Sequence, residues 1–195
     1  MIRLDYEVIA DIIEPDSKIL DLGCGDGELL SLLKQKKNCR GTGIEISPDE
    51  IFKCMERGVS VAQGSIDADF DVYEDKRFDY VILNESLQQV LNIEKVLSES
   101  LRIGKKVIVG IPNFCDARAR LQIFFMGKVP VTDSLPYKWY NTPNLRFLSL
   151  KDFRDFCVEK GITIEKACYL SSEGKKVGLF TNLLADSGIF VLKKD

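Results

Sequence analysis

The chain contains no histidine. That absence removes the side chain most used as a general base near neutral pH. It also removes Ser-His-Asp and Cys-His nucleophile systems and every zinc site built on histidine. Proton transfer is left to carboxylates, tyrosine, lysine, cysteine or water. No two of the six cysteines, at 24, 39, 54, 115, 157 and 168, form Cys-x-x-Cys. Their spacing matches no metal framework and reads as reduced, mostly core thiols of a cytoplasmic protein. No run approaches the ~18 apolar residues of a membrane helix. The N-terminal stretch, with Asp5, Glu7, Asp11 and Glu14 and no basic region, does not read as a signal peptide. Basic excess is absent too: the net charge is -3, which argues against nucleic acid as a partner.

What is present alternates between strand and helix. Residues 18–22, 41–46, 59–63, 79–83 and 106–111 are short apolar runs bounded by glycine, proline or charge. Between them, apolar residues recur at helical spacing at 28–36, after Ser47-Pro48, and at Ile93, Val96, Leu97 and Leu101. Near-continuous apolar strands are what a parallel sheet covered on both faces requires. Ser47 and Pro48 suit a helix start, and the buried face of that helix is expected at Ile51, Phe52 and Met55. Ser149 is expected to cap a last long helix carrying Phe153, Phe156 and Cys157, followed by strands at 162–170 and 187–192.

The rhythm breaks between Asp116 and Arg146. A helix is expected at 118–126, then a proline- and aromatic-rich stretch to Asn144. Long irregular stretches in compact domains are usually functional. This segment carries five cations against two carboxylates, a local +3 that leaves −6 for the rest of the chain. Tyr137, Trp139 and Tyr140 lie within it. A lid over the sheet edge and a docking surface both fit, and the two are compatible. One domain over 1–195 is expected, with this segment as its insertion.

Asp21-Leu-Gly-Cys-Gly-Asp-Gly27 joins the first strand to its helix. Glycines there permit a sharp turn and close approach of a ligand, at the strand ends where open α/β sheets bind. A dinucleotide fold would need G-x-G-x-x-G, but this chain has Glu28 at the third glycine's place and Asp26 nearby. Carboxylates repel a pyrophosphate and tolerate a sulfonium. S-adenosylmethionine is a ligand of the second kind, and G-x-G-x-G after an acidic strand end resembles the first motif of class I methyltransferases, which implies S-adenosylmethionine or its product S-adenosylhomocysteine. Glu45, ending the second strand, is placed to accept ribose hydroxyls, and Ile46 to cover the adenine. Ser65, Ile66 and Asp67 follow the third strand, where the adenine edge is expected. The candidate cofactor residues are thus Asp21, Gly23, Cys24, Gly25, Gly27, Glu45, Ile46, Ser65, Ile66, Asp67 and Asn84. Glu85, beside Asn84 after the fourth strand, is the candidate base, with an ordinary loop glutamate as the competing reading. No metal site is expected.

Several segments resemble one family closely: Arg3-Leu-Asp-Tyr-Glu7, the glycine loop through Leu30, Gly43-Ile-Glu-Ile46, Arg57-Gly-Val-Ser-Val61, Leu101-Arg-Ile-Gly104 and, above all, Leu135-Pro-Tyr-Lys-Trp-Tyr-Asn-Thr-Pro-Asn144. The set is similar to the methionine biosynthesis protein MetW family from about residue 2 to 165. The resemblance implies a Rossmann-like class I methyltransferase α/β fold: a seven-strand, mostly parallel sheet with an antiparallel last strand and helices on both faces. It also implies a role beside MetX, the homoserine O-acyltransferase, as partner and support. Methyl transfer to a small molecule is the alternative. The chain departs from the family pattern where histidines usually stand: Asp116 and Arg146 occupy those positions. Gln63-Gly-Ser65 replaces the usual Gln-Gly-Asp, so one adenine contact is expected to be weakened or moved to Asp67. The departures put an acid/base role for those histidines in doubt here.

Overall fold

The computed structural model describes residues 3–68 and 70–194. The chain runs α1 (Leu4–Ile12), β1 (Lys18–Leu22), α2 (Glu28–Lys37), β2 (Arg40–Glu45), α3 (Pro48–Glu56), β3 (Ser60–Gln63) and β4 (Phe78–Asn84). It continues through α4 (Ile93–Ile103), β5 (Gly104–Pro112), α5 (Ala117–Met126), α6 (Leu150–Glu159), β6 (Thr163–Leu170), α7 (Thr181–Leu184) and β7 (Ser187–Lys193). The seven strands form one sheet in the order β3-β2-β1-β4-β5-β7-β6. Pairings from β3 to β5 are parallel, and β7 runs antiparallel to both β5 and β6. The seven-strand class I methyltransferase topology expected from the sequence is therefore the one observed.

Each central strand sends alternate residues into two separate cores. Leu20, Val81, Val107 and Val109 enter the core under α4 and α6. Ile19, Ile82 and Ile108 enter the core on the opposite face with α1 and α2. Because both faces are covered, the middle positions of these strands are apolar on either side, and polar residues fall at the ends, as Asp21, Asp79 and Asn84 do. Of the six free cysteines, Cys24, Cys39, Cys54 and Cys157 are buried and the other two half-buried, as core thiols should be.

Helix caps behave as the residue types dictate. The Ser47 hydroxyl accepts the Glu50 N–H with Pro48 in the first turn. Ser149 and Asp152 form a reciprocal capping box at α6, whose Phe153 and Cys157 are buried.

The expected inner face of α3 is corrected. Phe52 and Met55 are 63% and 65% exposed, Ile51 is half-buried, and only Cys54 is buried. The helix lies over β2 and β3, and β3 is the sheet edge, so no further element among the described residues covers its outer side. The helix α1 was not anticipated. Its Val8, Ile9 and Ala10 close one end of the second core.

Candidate functional site

The parallel strands place the ends of β1, β2, β3 and β4 side by side, and the loops beyond them enclose a cleft of about 620 Å³. That volume lies within the ordinary range for small-molecule sites. The floor is the glycine loop. The Gly23 and Cys24 N–H groups both donate to the Ile44 carbonyl, which hooks the loop onto β2. Gly23 and Gly25 have φ of +79° and +52°, a region side chains rarely adopt. A Cβ on Gly23 would stand 2.9 Å from Ser86 Cβ, whereas one on Gly25 would meet nothing within 4 Å. The first glycine is needed for packing, and the second leaves open space beside the loop.

Glu45 organises this floor. One carboxylate oxygen accepts the Gly25 N–H at 2.9 Å, and the other accepts the N–H groups of Ile46 and Ser47 at 2.8 and 2.9 Å. The carboxylate thereby ties the glycine loop to the start of α3. Each oxygen has two lone pairs, so the one that accepts Ile46 and Ser47 is filled and the one that accepts Gly25 keeps a single acceptor site for a ligand.

Of the eleven residues expected to meet a cofactor, Gly23, Gly25, Glu45, Ile46, Ser65, Ile66 and Asp67 line the cleft. Asp21, Cys24, Gly27 and Asn84 do not. Asp21 is buried at the end of β1, and burial, with the charge of Glu45 second, pushes its carboxyl up to about 7. Cys24 lies beneath the loop with its sulfur 3.9 Å from that of Cys54, and burial pushes both thiols up. Gly27 sits against Cys54, as a helix-start packing position. The Asn84 amide donates to Asp5 at 2.8 Å, so it serves α1. The Asp67 carboxylate accepts the N–H groups of Leu91 and Asn92, fixing the stretch that forms the far wall.

Glu85 also lines the cleft, in a left-handed conformation held by its N–H to the Gly110 carbonyl. Its carboxylate pairs with Arg3 at 2.6 Å, and Arg3 also holds Asp5 and lies over the Tyr6 ring. This contact, made across 82 positions of sequence, was missed by sequence reasoning. It gives the candidate base a fixed cationic partner.

The segment after α5 supplies the rest of the wall. Tyr137 and Pro143 reach the cleft. Leu145 and Arg146 donate their N–H groups to the Gln88 carbonyl, and the Arg146 guanidinium holds the carbonyls of Val90 and Leu91. Asp116 caps α5 by accepting the Ala119 N–H at 2.9 Å. The residues at the two usual histidine positions therefore act as a helix cap and a staple, and neither lines the cleft.

Electrostatically the cleft is one-sided. Glu45, Glu50, Asp67 and Glu85 line it, and among the described residues no lysine or arginine does, although Lys53 and Arg3 pair with Glu50 and Glu85 from outside the lining. Asp26 and Glu28, the carboxylates that weighed against a pyrophosphate in the sequence, lie elsewhere, with Asp26 paired to Arg57. The repulsion stands, on different residues. Among the described residues no group of three or more histidines, cysteines or carboxylates is placed to hold a metal. Such a cleft suits a nucleoside-sized ligand that bears positive charge.

A seven-strand sheet with β7 reversed and a glycine loop at the end of β1 defines the class I methyltransferase fold. Solved structures share it. A methyltransferase from Thermotoga maritima, described as a possible histamine N-methyltransferase, superposes with a TM-score of 0.69 at 20% identity, over 98% of this chain and 88% of that one. The [4+2]-cyclase SpnF superposes with a TM-score of 0.70 at 17% identity, over 97% and 80%. The family model described as methionine biosynthesis protein MetW matches residues 3–192, and the chain belongs to that family. The bifunctional methionine biosynthesis protein MetXA/MetW of Rhodopirellula baltica is 30% identical over 206 residues, spanning 100% of this chain and 33% of that protein. Norajmaline N-methyltransferase of Rauvolfia serpentina is 33% identical over 107 residues, 49% of this chain and 36% of that one. The chain thus spans about a third of the length of these curated relatives.

Proposed function

We propose that this protein binds S-adenosylmethionine in the Glu45 cleft and acts in methionine biosynthesis as an accessory partner of homoserine O-acyltransferase. The observation that carries the accessory role is the Rhodopirellula baltica relative, whose name joins MetXA and MetW in one bifunctional chain. Two activities fused in one chain are at high effective concentration, and separate chains that work together need an interface instead. The cofactor part rests on the cleft: its volume, the carboxylates of Glu45 and Asp67, which pair with no cation among the described residues, and the open space beside Gly25 suit a cationic nucleoside.

In this reading Glu45 accepts one ribose hydroxyl with the lone pair left on the oxygen that holds Gly25, and Ile46, 66% exposed beside it, covers a face of the adenine. The carboxylates of the cleft favour the sulfonium and ammonium charges. Bound S-adenosylmethionine supplies an electrophilic methyl group. Glu85, the carboxylate expected as a base, is held by Arg3, and Glu45 and Asp67 are occupied by backbone N–H groups. That arrangement favours ligand sensing over catalysis. Methyl transfer to a small, already nucleophilic acceptor is the second reading, and the shared fold with N-methyltransferases supports it, since positioning alone accelerates such a step.

Calorimetry with S-adenosylmethionine and co-sedimentation with purified homoserine O-acyltransferase test the two halves separately. Absence of heat refutes the cofactor assignment, and independent sedimentation refutes the partnership. Labelled methyl groups appearing on a metabolite in cell extract would favour the second reading.

A further inference from the structure

The end of α5 and the aromatic stretch that follows present large apolar side chains to water. Phe125 and Trp139 are 74% and 73% exposed. Phe124 meets Phe125 edge to face, and Trp139 meets Tyr140 in the same way. The two stretches are tied together: the Gln122 amide exchanges two hydrogen bonds of 3.0 Å with the Val131 backbone, and Val129 and Pro130, just after α5, line a small depression with Trp139. Exposed clusters of this kind mark interaction sites.

Asp133 in this stretch is paired with Arg118, and the charges left unpaired around the cluster are of one sign. Lys128 and Lys138 make no ion pair among the described residues, and Lys138 lies 5.9 Å from the centre of the Tyr140 ring. The segment is positive while the rest of the chain is negative.

We infer that this face docks the acyltransferase, on a patch of that enzyme with an apolar groove rimmed by carboxylates. The inference rests on the accessory reading above and adds where and how the partner is held. Aromatic anchors filling a groove give affinity, and opposite rim charge gives orientation and a fast encounter. A second copy of this chain is a poorer occupant, since a two-fold contact through this face would set Lys128 and Lys138 against themselves. The same segment turns Tyr137 and Pro143 into the cleft, so the docking face and the cleft share one wall.

The test is titration of purified acyltransferase against four forms of the full chain: wild type, Phe125→Ser with Trp139→Ala, Lys128→Glu with Lys138→Glu, and Phe52→Ser with Met55→Ser. The last pair is also exposed, at 63% and 65%, but lies on α3. Melting temperatures establish that each form is folded, and the lysine pair involves no packed side chain. Loss of roughly tenfold or more in affinity for the first two variants is expected, the scale for interface anchors. The lysine pair should also flatten the salt dependence, and the α3 pair should bind as wild type. Wild-type affinity in both altered-face variants, or loss confined to the α3 pair, overturns the inference while leaving the partnership intact. If wild type itself does not bind, the accessory reading fails and this inference with it. Binding to phosphatidylglycerol vesicles that depends on Trp139, with unchanged acyltransferase affinity, would assign the face to a membrane and overturn it as well.

Discussion

Glu45 accepts the backbone N–H of Gly25 at 2.9 Å, so the carboxylate proposed to hold the ribose also fixes the loop beside it. Glu45→Ala should therefore lower S-adenosylmethionine affinity by about 1.5–3 kcal/mol, the scale for hydrogen bonds to a charged group. It should also loosen the loop, because three backbone N–H groups lose their acceptor. Calorimetry for affinity and thermal melting for stability read the two effects. Unchanged affinity would remove Glu45 from the site.

The two glycines of the loop should separate folding from binding. Gly23→Ala sets a Cβ 2.9 Å from Ser86 Cβ and 3.0 Å from Ile66 Cδ1, in a left-handed backbone, and should lower the melting temperature clearly. Gly25→Ala meets no atom and should cost only the left-handed penalty, roughly 1–2 kcal/mol. Its methyl group enters the space proposed for the ligand, so affinity should fall in a protein that still folds. Equal affinity for Gly25→Ala and wild type would mean that the ligand lies elsewhere.

Asp21 predicts a pH dependence of stability. Its carboxyl, pushed up to about 7 by burial, keeps a proton in the folded state that an unfolded aspartate loses near 3.8. The folded state therefore binds more protons between those values, and stability falls as pH rises through about 7. Asp21→Asn should remove this loss. The melting temperature of the variant relative to wild type should rise from pH 4 to pH 8 and then level off. A difference independent of pH would show that Asp21 is ionised in the folded protein throughout.

Trp139 is the only tryptophan, and Tyr137, two positions away, lines the cleft. Its emission should change on titration with S-adenosylmethionine and saturate at one ligand per chain. Binding seen by calorimetry with no change at Trp139 would mean that the outer face does not sense the cleft.

The central strands were legible because both faces of the sheet are covered, so sequence hydrophobicity and burial coincide at residues such as Ile82 and Val107. The α3 face was misread for the complementary reason. Periodicity marks Phe52 and Met55 as apolar, but only the sheet order shows that they lie at an uncovered edge. In the cleft, Gly23, Gly25 and Glu45 were legible from strand-end position, since any ligand there must pass the loop. Arg3 was not, because pairing with Glu85 depends on where α1 docks, which no local pattern encodes. Arg146 was noticed only as a replaced histidine. Its role in holding the Val90 and Leu91 carbonyls required the folded chain.

The central claim is that this chain supports the acyltransferase under control of the cleft's ligand. The direct measurement is homoserine acylation by the purified acyltransferase, with and without this protein, titrated with S-adenosylmethionine. A change in rate that saturates at a fixed ratio of the two proteins, and that shifts with S-adenosylmethionine for wild type but not for Glu45→Ala, is the predicted result. A rate that is the same with and without the protein, at every concentration of S-adenosylmethionine, would contradict it.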